Sequence, residues 1–307
     1  MNAGTPPPAA GPAASALVLA EPPFVLHRPP GALASPLIFA SPHSGRIYPA
    51  DMMAASALDA AAIRRSEDAF VDVLIGGGEA HGAAILAAGY ARAYVDVNRE
   101  PYELDPSMFE DELPDFARGR SARVAAGLGS IARIVAEGQE IYARKLTFDE
   151  ARRRIEAVHQ PYHAMLEALM AEACAQFGQA VLIDWHSMPS AAARTMGQSG
   201  DCGRAGVCDL VLGDRFGAAC DGRITATVER ELEAMGYRVA RNAPYAGGFT
   251  TEYYGHPRRR RHALQIEINR ALYLDEASLQ PHAGLERLTS DLQKVFAALT
   301  HCCERLA

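Results

Sequence analysis

Apolar positions along the chain follow two patterns that alternate. Short continuous runs of apolar and β-branched residues, at 36–40, 83–87, 93–97, 180–184, 210–212, 237–240 and 263–268, have the length and boundaries of strands. Between them lie longer stretches whose apolar residues return every three or four positions, the spacing of a helix with one buried face. Residues 58–76 carry Leu58, Ile63, Phe70, Val73 and Leu74 on one face and run into Gly76, Gly77 and Gly78, which predicts a helix end and a turn. The longest pattern spans 148–177, from Phe148 through Ile155, Val158, Tyr162 and Leu166 to Met170. Pro161 within it predicts a kink, because proline has no N–H to give the helix. Residues 217–235 and 281–305 complete the helical set, the last turning Leu288, Leu292, Val295, Phe296 and Leu299 inward. Strands that alternate with helices in this way predict an α/β domain with a mixed or mostly parallel sheet.

The polar residues left between these elements fall where ligands usually bind, in loops at the carboxyl ends of strands. Four clusters stand there: 41–45, 96–100, 184–189 and 267–270. Residues 100–129 have no strong period and contain Pro101, Pro106 and Pro114, so a long irregular connection near the site is expected. The segment MGQSGDCGRAG, 196–206, reads as a second glycine-rich loop. The first 22 residues are rich in Pro, Ala and Gly and lack the basic start and apolar core of a signal peptide, which predicts a disordered tail before one domain over 23–307.

Composition narrows the class of partner. With 307 residues, 49% of them hydrophobic, the chain can bury a full core. A net charge of -7 argues against a protein whose main partner is nucleic acid. The run HPRRRRHA, 256–263, is the strongest basic stretch; it reads as a solvated loop from which one arginine can help attract an anionic substrate. No run approaches the roughly 18 apolar residues of a membrane span, and a cytoplasmic protein with a small-molecule partner is expected. The six cysteines show no C-x-x-C spacing. They are expected to be reduced thiols rather than to include a Cys202–Cys208 bridge, since cytosolic disulfides are rare.

The candidate chemistry is that of a metal site. A catalytic zinc takes three protein ligands and leaves one position open. His43 follows a buried strand in SPHSGRIYP, His186 follows another in VLIDWHSMPS, and RRSEDAFVD offers Glu67 or Asp68. Residues one apart do not share a helix face, so only one of these acids can be the ligand. Glu267 lies in LQIEIN, where Gln265, Glu267 and Asn269 alternate with Leu264, Ile266 and Ile268, placing the polar set on one face of a strand. Ser44 and Ser187 lack the G-x-S-x-G elbow of a serine hydrolase.

Seven segments, SPHSGRIYP, SEDAFVD, YVDVNREP, DWHSMPS, GDRFG, NAPYAGGFTTEYYG and HALQIEINRALYLDE, resemble in order and approximate spacing the motifs of the N-formylglutamate amidohydrolases. The resemblance covers about residues 36–275. It implies a fold similar to the zinc carboxypeptidases and aspartoacylases: a single α/β domain around a mixed, mostly parallel twisted sheet flanked by helices, with one Zn2+ at the strand ends. It implies His43, Asp68 and His186 as metal ligands, with Glu67 as the alternative to Asp68, and Glu267 as the general base. Asn98 and Arg99 look like a pair that holds a substrate carboxylate, which suits the planar fork of a guanidinium. Gly248 and Thr250 in YAGGFTT offer close backbone approach and a hydroxyl, and Arg46 is placed to face the substrate.

The implied activity is hydrolysis of the amide of a small anionic N-acyl amino acid, N-formyl-L-glutamate giving formate and L-glutamate, a step of histidine degradation. The alternatives are a hydrolase of another N-acyl amino acid or short peptide, and a paralogue that binds metal or ligand without turnover. Glu267 favours the enzyme, since a binding protein needs no acid there.

Overall fold

The run Leu37–Ser41 is buried at all five positions, as a strand must be when both faces of its sheet are covered. It is one of seven strands in a single sheet, described here in a computed structural model for residues 19–119, 121–135, 138–195 and 207–306. The strands are β1 (Phe24–His27), β2 (Leu37–Ser41), β3 (Ala84–Ala88), β4 (Ala180–Met188), β5 (Leu210–Gly213), β6 (Val239–Arg241) and β7 (Arg261–Asn269), in the spatial order β1-β3-β2-β4-β7-β5-β6. Four pairings are parallel, while β1 with β3 and β5 with β7 are antiparallel. The sheet is therefore mixed and mostly parallel.

Alternate residues of each strand feed two separate cores. Ile38, Ala40, Leu86 and Leu182 face the core under the helix Gln160–Phe177, whereas Leu37, Phe39, Val181 and Trp185 face the helices Gly222–Ala234 and Gly284–Leu306. Trp185 is fully buried, edge-on to Phe39 at 5.6 Å and to Phe296 at 5.7 Å. Trp185→Ala is expected to cost about 3–5 kcal/mol through lost burial and a residual cavity. Urea unfolding followed by circular dichroism measures it; a midpoint unchanged from the wild type would contradict this packing role.

Several expected elements come out differently. Residues 93–97 are not a strand but a buried turn, closed by hydrogen bonds from the Tyr94 and Val95 amides to the Ala91 carbonyl. Their apolar run marks burial beside the site rather than a place in the sheet. The helix expected over 58–76 is broken into a 3₁₀ turn at Ile63–Ser66 and a helix at Val71–Ile75, with Phe70 between them in the left-handed region at φ 64°. The 148–177 helix departs from α geometry as a π turn at Ile155–His159, immediately before the stretch that holds Pro161. The 217–235 helix begins only at Gly222, where the Asp221 side chain caps it. β1 gave no signal because it is four residues at the sheet edge with every second residue half-exposed.

Residues 100–129 are irregular as expected, with short turns at Pro106–Met108 and Asp115–Ala117 and one helical turn at Ala122–Ala125. The 196–206 loop and residues 1–18 of the predicted tail lie outside the described residues. The expectation of reduced thiols fails at Cys208, which is disulfide-bonded; its partner lies outside the described residues, and Cys174, Cys220, Cys302 and Cys303 are free. Among the described residues no helix is long and apolar enough to cross a membrane.

Candidate metal centre

The carboxyl ends of β2, β4 and β7 open into one cavity of about 460 Å³. His43 stands in the turn that follows β2. Gly45 makes that turn feasible, because a Cβ there would sit 2.1 Å from the Tyr90 carbonyl oxygen. Asp68 lies in the break between the 3₁₀ turn and the helix Val71–Ile75, and its amide donates to the His43 carbonyl at 3.0 Å, which ties the two segments together. His186 lies within β4, which runs on to Met188 because its pairing with β7 continues to Asn269. That register sets His186 directly beside Glu267, and Asp184 beside Gln265. The polar face of β7 looks into the cavity, and β7 is an interior strand, not an edge.

Three donor atoms converge. His186 Nδ1 is 3.0 Å from His43 Nδ1 and 3.1 Å from Asp68 Oδ2, and His43 Nδ1 is 3.4 Å from Asp68 Oδ2. All three residues are buried. The opposite ring nitrogens are committed elsewhere: His43 Nε2 to Asp96 Oδ1 at 2.8 Å and His186 Nε2 to Asp184 Oδ2 at 3.1 Å. With those protons given to carboxylates, two nitrogen lone pairs and one carboxylate oxygen face one another, an arrangement that needs a cation or a proton between them. A four-coordinate ion with ligand distances of about 2.0–2.1 Å sets its donors roughly 3.3 Å apart, close to the separations seen. The donor set therefore fits a divalent ion such as zinc.

The surrounding charges favour the same outcome. Burial works against charge on His186, but Asp184, Asp68 and Glu267 outweigh it and raise the His186 pKa well above its ordinary value. A field that holds a proton there also attracts a cation. Burial likewise opposes the Asp68 charge, yet hydrogen bonds from His186 and His43 and the charge of Arg270 keep its pKa well below the usual carboxylate range. Glu267 has less compensation. Burial, with Asp68 and Asp184 nearby, pushes its pKa up to about 7 against the charges of His186 and Arg92. Its Oε1 accepts from Gln265 Nε2 at 2.8 Å.

Of the two candidate acids, the structure brings Asp68 to the cluster. Glu67 accepts instead from Tyr48 at 2.8 Å and Arg64 at 2.9 Å. Asn98 lines the cavity, but its amide is committed: Nδ2 donates to Asp184 Oδ2 at 3.1 Å and lies against His186, while Oδ1 accepts from the Thr250 amide at 2.8 Å. Gly248 lines the cavity and passes so near Asn98 that a Cβ would meet its amide at 2.9 Å. Arg99 lines it too. Two expected substrate contacts are not brought there. Thr250 stands behind Asn98, buried and outside the cavity lining. Arg46 turns away after Gly45 and is captured by Asp72 on the helix Val71–Ile75. The arginines of 258–260 precede β7 and Arg261 opens it, at the end of the strand remote from the cavity; Arg261 pairs with Glu167 and none of the four lines the site.

Some residues that hold the site were not singled out from the sequence. Asp96 and Asp184 orient the histidines, and Arg270 Nη2 donates to Asp68 Oδ1 at 2.9 Å, fixing the carboxylate's other oxygen. His159 and His163, at and just after the π turn, donate from Nε2 to the carbonyls of Arg99 and Val97, at 2.8 and 2.7 Å, and so brace the 97–99 loop from behind. Asp184 carried a signal in its place two residues before His186, on the same strand face. Asp96→Asn is expected to weaken metal affinity about 10- to 100-fold by loosening the His43 ring. Competition with a chromophoric chelator measures this, and wild-type affinity would contradict the role given to Asp96.

Fold and site together define an α/β protein with a buried two-histidine, one-carboxylate donor set at the carboxyl ends of its central strands. The family model for N-formylglutamate amidohydrolase matches residues 35–274, and the chain belongs to that family. The resemblance read from the seven motifs is thereby borne out. The chain is 31% identical over 245 residues to the N-formylglutamate deformylase of Pseudomonas aeruginosa, a match covering 78% of this chain and 83% of that one. It is 27% identical over 267 residues to the N-formylglutamate deformylase of Pseudomonas putida, covering 86% and 90%. The crystal structure of an N-formylglutamate amidohydrolase from Ralstonia eutropha superposes with a TM-score of 0.85 at 36% identity, covering 93% of this chain and 99% of that one. The protein is thus an amidohydrolase.

Proposed function

We propose that the protein hydrolyses N-formyl-L-glutamate to formate and L-glutamate, using a divalent ion, zinc by its donor set, held by His43, Asp68 and His186. The observation that carries this reading is the convergence of three buried donor atoms within reach of one another, with Glu267 on the adjacent strand of the same cavity. The relatives named as N-formylglutamate deformylases support the choice of substrate.

When bound, the ion polarises the amide carbonyl and makes a water ligand more acidic. The protein's own groups do the rest. Glu267 accepts a proton from the attacking water as its oxygen bonds to the formyl carbon, and returns that proton to the amide nitrogen as the C–N bond breaks. Its Oε2 has no partner among the described residues, and its raised pKa suits a group that must both take and give a proton. Arg99 binds the substrate's α-carboxylate from the cavity wall, and Asn98 acts by holding Asp184 and His186 in place.

Formate release from N-formyl-L-glutamate by the zinc-loaded protein tests the reading. Steady turnover is expected. A protein carrying one equivalent of zinc that releases no formate from this substrate overturns it.

A further inference from the structure

One wall of the cavity is cationic. It carries three guanidinium groups, those of Arg92, Arg99 and Arg123. Arg92 is neutralised by Asp96 Oδ2 at 2.7 Å. The other two make no ion pair among the described residues. Arg99 spends Nε and Nη1 on the carbonyl oxygens of Leu128 and Asn98, at 2.9 and 2.8 Å, which satisfies its geometry but leaves its charge. Arg123 is half-buried, lines the cavity, and makes no side-chain hydrogen bond or ion pair among the described residues. Two guanidinium groups with no ion-pair partner among the described residues, in one confined cavity, match two carboxylates better than one.

Their positions divide the work. Arg99 follows Asn98, which touches His186, so its backbone is tied to the reacting end. Arg123 comes from the helical turn Ala122–Ala125 on the irregular segment, beside Leu128, Ile134 and Val135, whose apolar side chains suit a short methylene chain. This segment is registered to the metal centre: the Ser130 carbonyl accepts from the Asp96 amide at 2.7 Å, and Asp96 is the group that holds His43.

We propose that Arg123 is the specificity determinant for an acidic side chain, its guanidinium binding the distal carboxylate of the substrate while the α-carboxylate goes to Arg99. The assignment rests on the reading of the site as an N-formyl amino acid hydrolase. It predicts that the enzyme distinguishes N-formyl-L-glutamate from N-formyl-L-glutamine, which has the same shape without the distal charge.

The test compares kcat and KM for these two substrates in the zinc-loaded wild type, Arg123→Gln and Arg123→Lys. Arg123→Gln should lower kcat/KM for N-formyl-L-glutamate about 100-fold, chiefly through KM, because it removes one partner of a charge pair. Activity on N-formyl-L-glutamine should stay within about threefold of wild type, since that substrate lacks the charge Arg123 would pair with. Arg123→Lys, which keeps the charge without the fork, should retain part of the preference. Calorimetric titration with L-glutamate should weaken in parallel in Arg123→Gln, with metal content unchanged. Equal losses on both substrates, or an unchanged preference, overturns the role of Arg123 while leaving the proposed activity intact. A wild type inert on both substrates overturns that activity and this inference with it.

Discussion

Replacing Glu267 by glutamine is expected to lower kcat by roughly 10²–10⁴-fold while the metal ion stays bound. The substitution keeps the size of the side chain and its contact with Gln265, which can donate to an amide oxygen as it does to Glu267 Oε1. What it removes is the only acid on the cavity-facing side of β7 in the register position beside His186. The three donor atoms do not include Glu267, so metal content should be unaffected. The pH profile gives a second reading. A base works only when ionised, so kcat/KM should fall as pH drops through the Glu267 pKa. That pKa is pushed up to about 7 by burial, and a bound cation favours the carboxylate, so the acidic limb should lie at or below this value. Full activity in Glu267→Gln, measured by formate release, would remove Glu267 from the chemistry. Loss of metal together with activity would make it a ligand.

The parts of the site that could be read from the sequence are those in which strand period and polarity coincide. β7 shows a clean alternation, so Glu267 could be assigned to a polar face before its pairing was known, whereas His186 was legible only as a residue following an apolar run. The same reasoning stalled at Glu67 and Asp68. The apolar spacing of 58–76 is helical, but the chain breaks after Ser66 and passes through a left-handed Phe70, and the break is what turns Asp68 inward and leaves Glu67 to Tyr48 and Arg64. Period counts apolar residues and does not register a break whose cause is tertiary. The run at 93–97 misled in the converse way, since burial against the site produces the same apolar residues as a place in the sheet.

Partners are harder to read than positions, because a charge in a sequence does not say which charge it meets. Arg46 lies three residues from His43 yet is held by Asp72, while Arg270, 202 residues from Asp68, is what fixes that carboxylate. Arg123 gave no signal because it sits in an irregular segment with no period. Its significance depends on its place in the cavity wall and on its lack of an ion-pair partner among the described residues, which only the folded arrangement reveals.

Removing the ion is the experiment with the widest consequences. Dialysis against a chelator is expected to reduce turnover by at least about 10³-fold, a loss of several kcal/mol of transition-state stabilisation. Zinc should restore it. A readout independent of activity follows from the same donor set. On the proposed reading the ion would bind three buried groups, two of them, His43 and His186, 143 residues apart in sequence, and these come together only in the folded chain. Free metal at a thousandfold excess over Kd then stabilises the fold by about 4 kcal/mol, which for a domain of this size raises Tm on the order of 10 °C. His186→Ala separates the site from nonspecific effects of the chelator. It removes one donor and leaves Asp184 and Asp68 facing a gap, so it should abolish turnover, the recovery with zinc, and the metal-dependent rise in Tm together. A chelated protein that remains fully active, or a His186→Ala variant that keeps the zinc-dependent shift in Tm, would show that the cluster is held by its own hydrogen bonds and does not bind the ion.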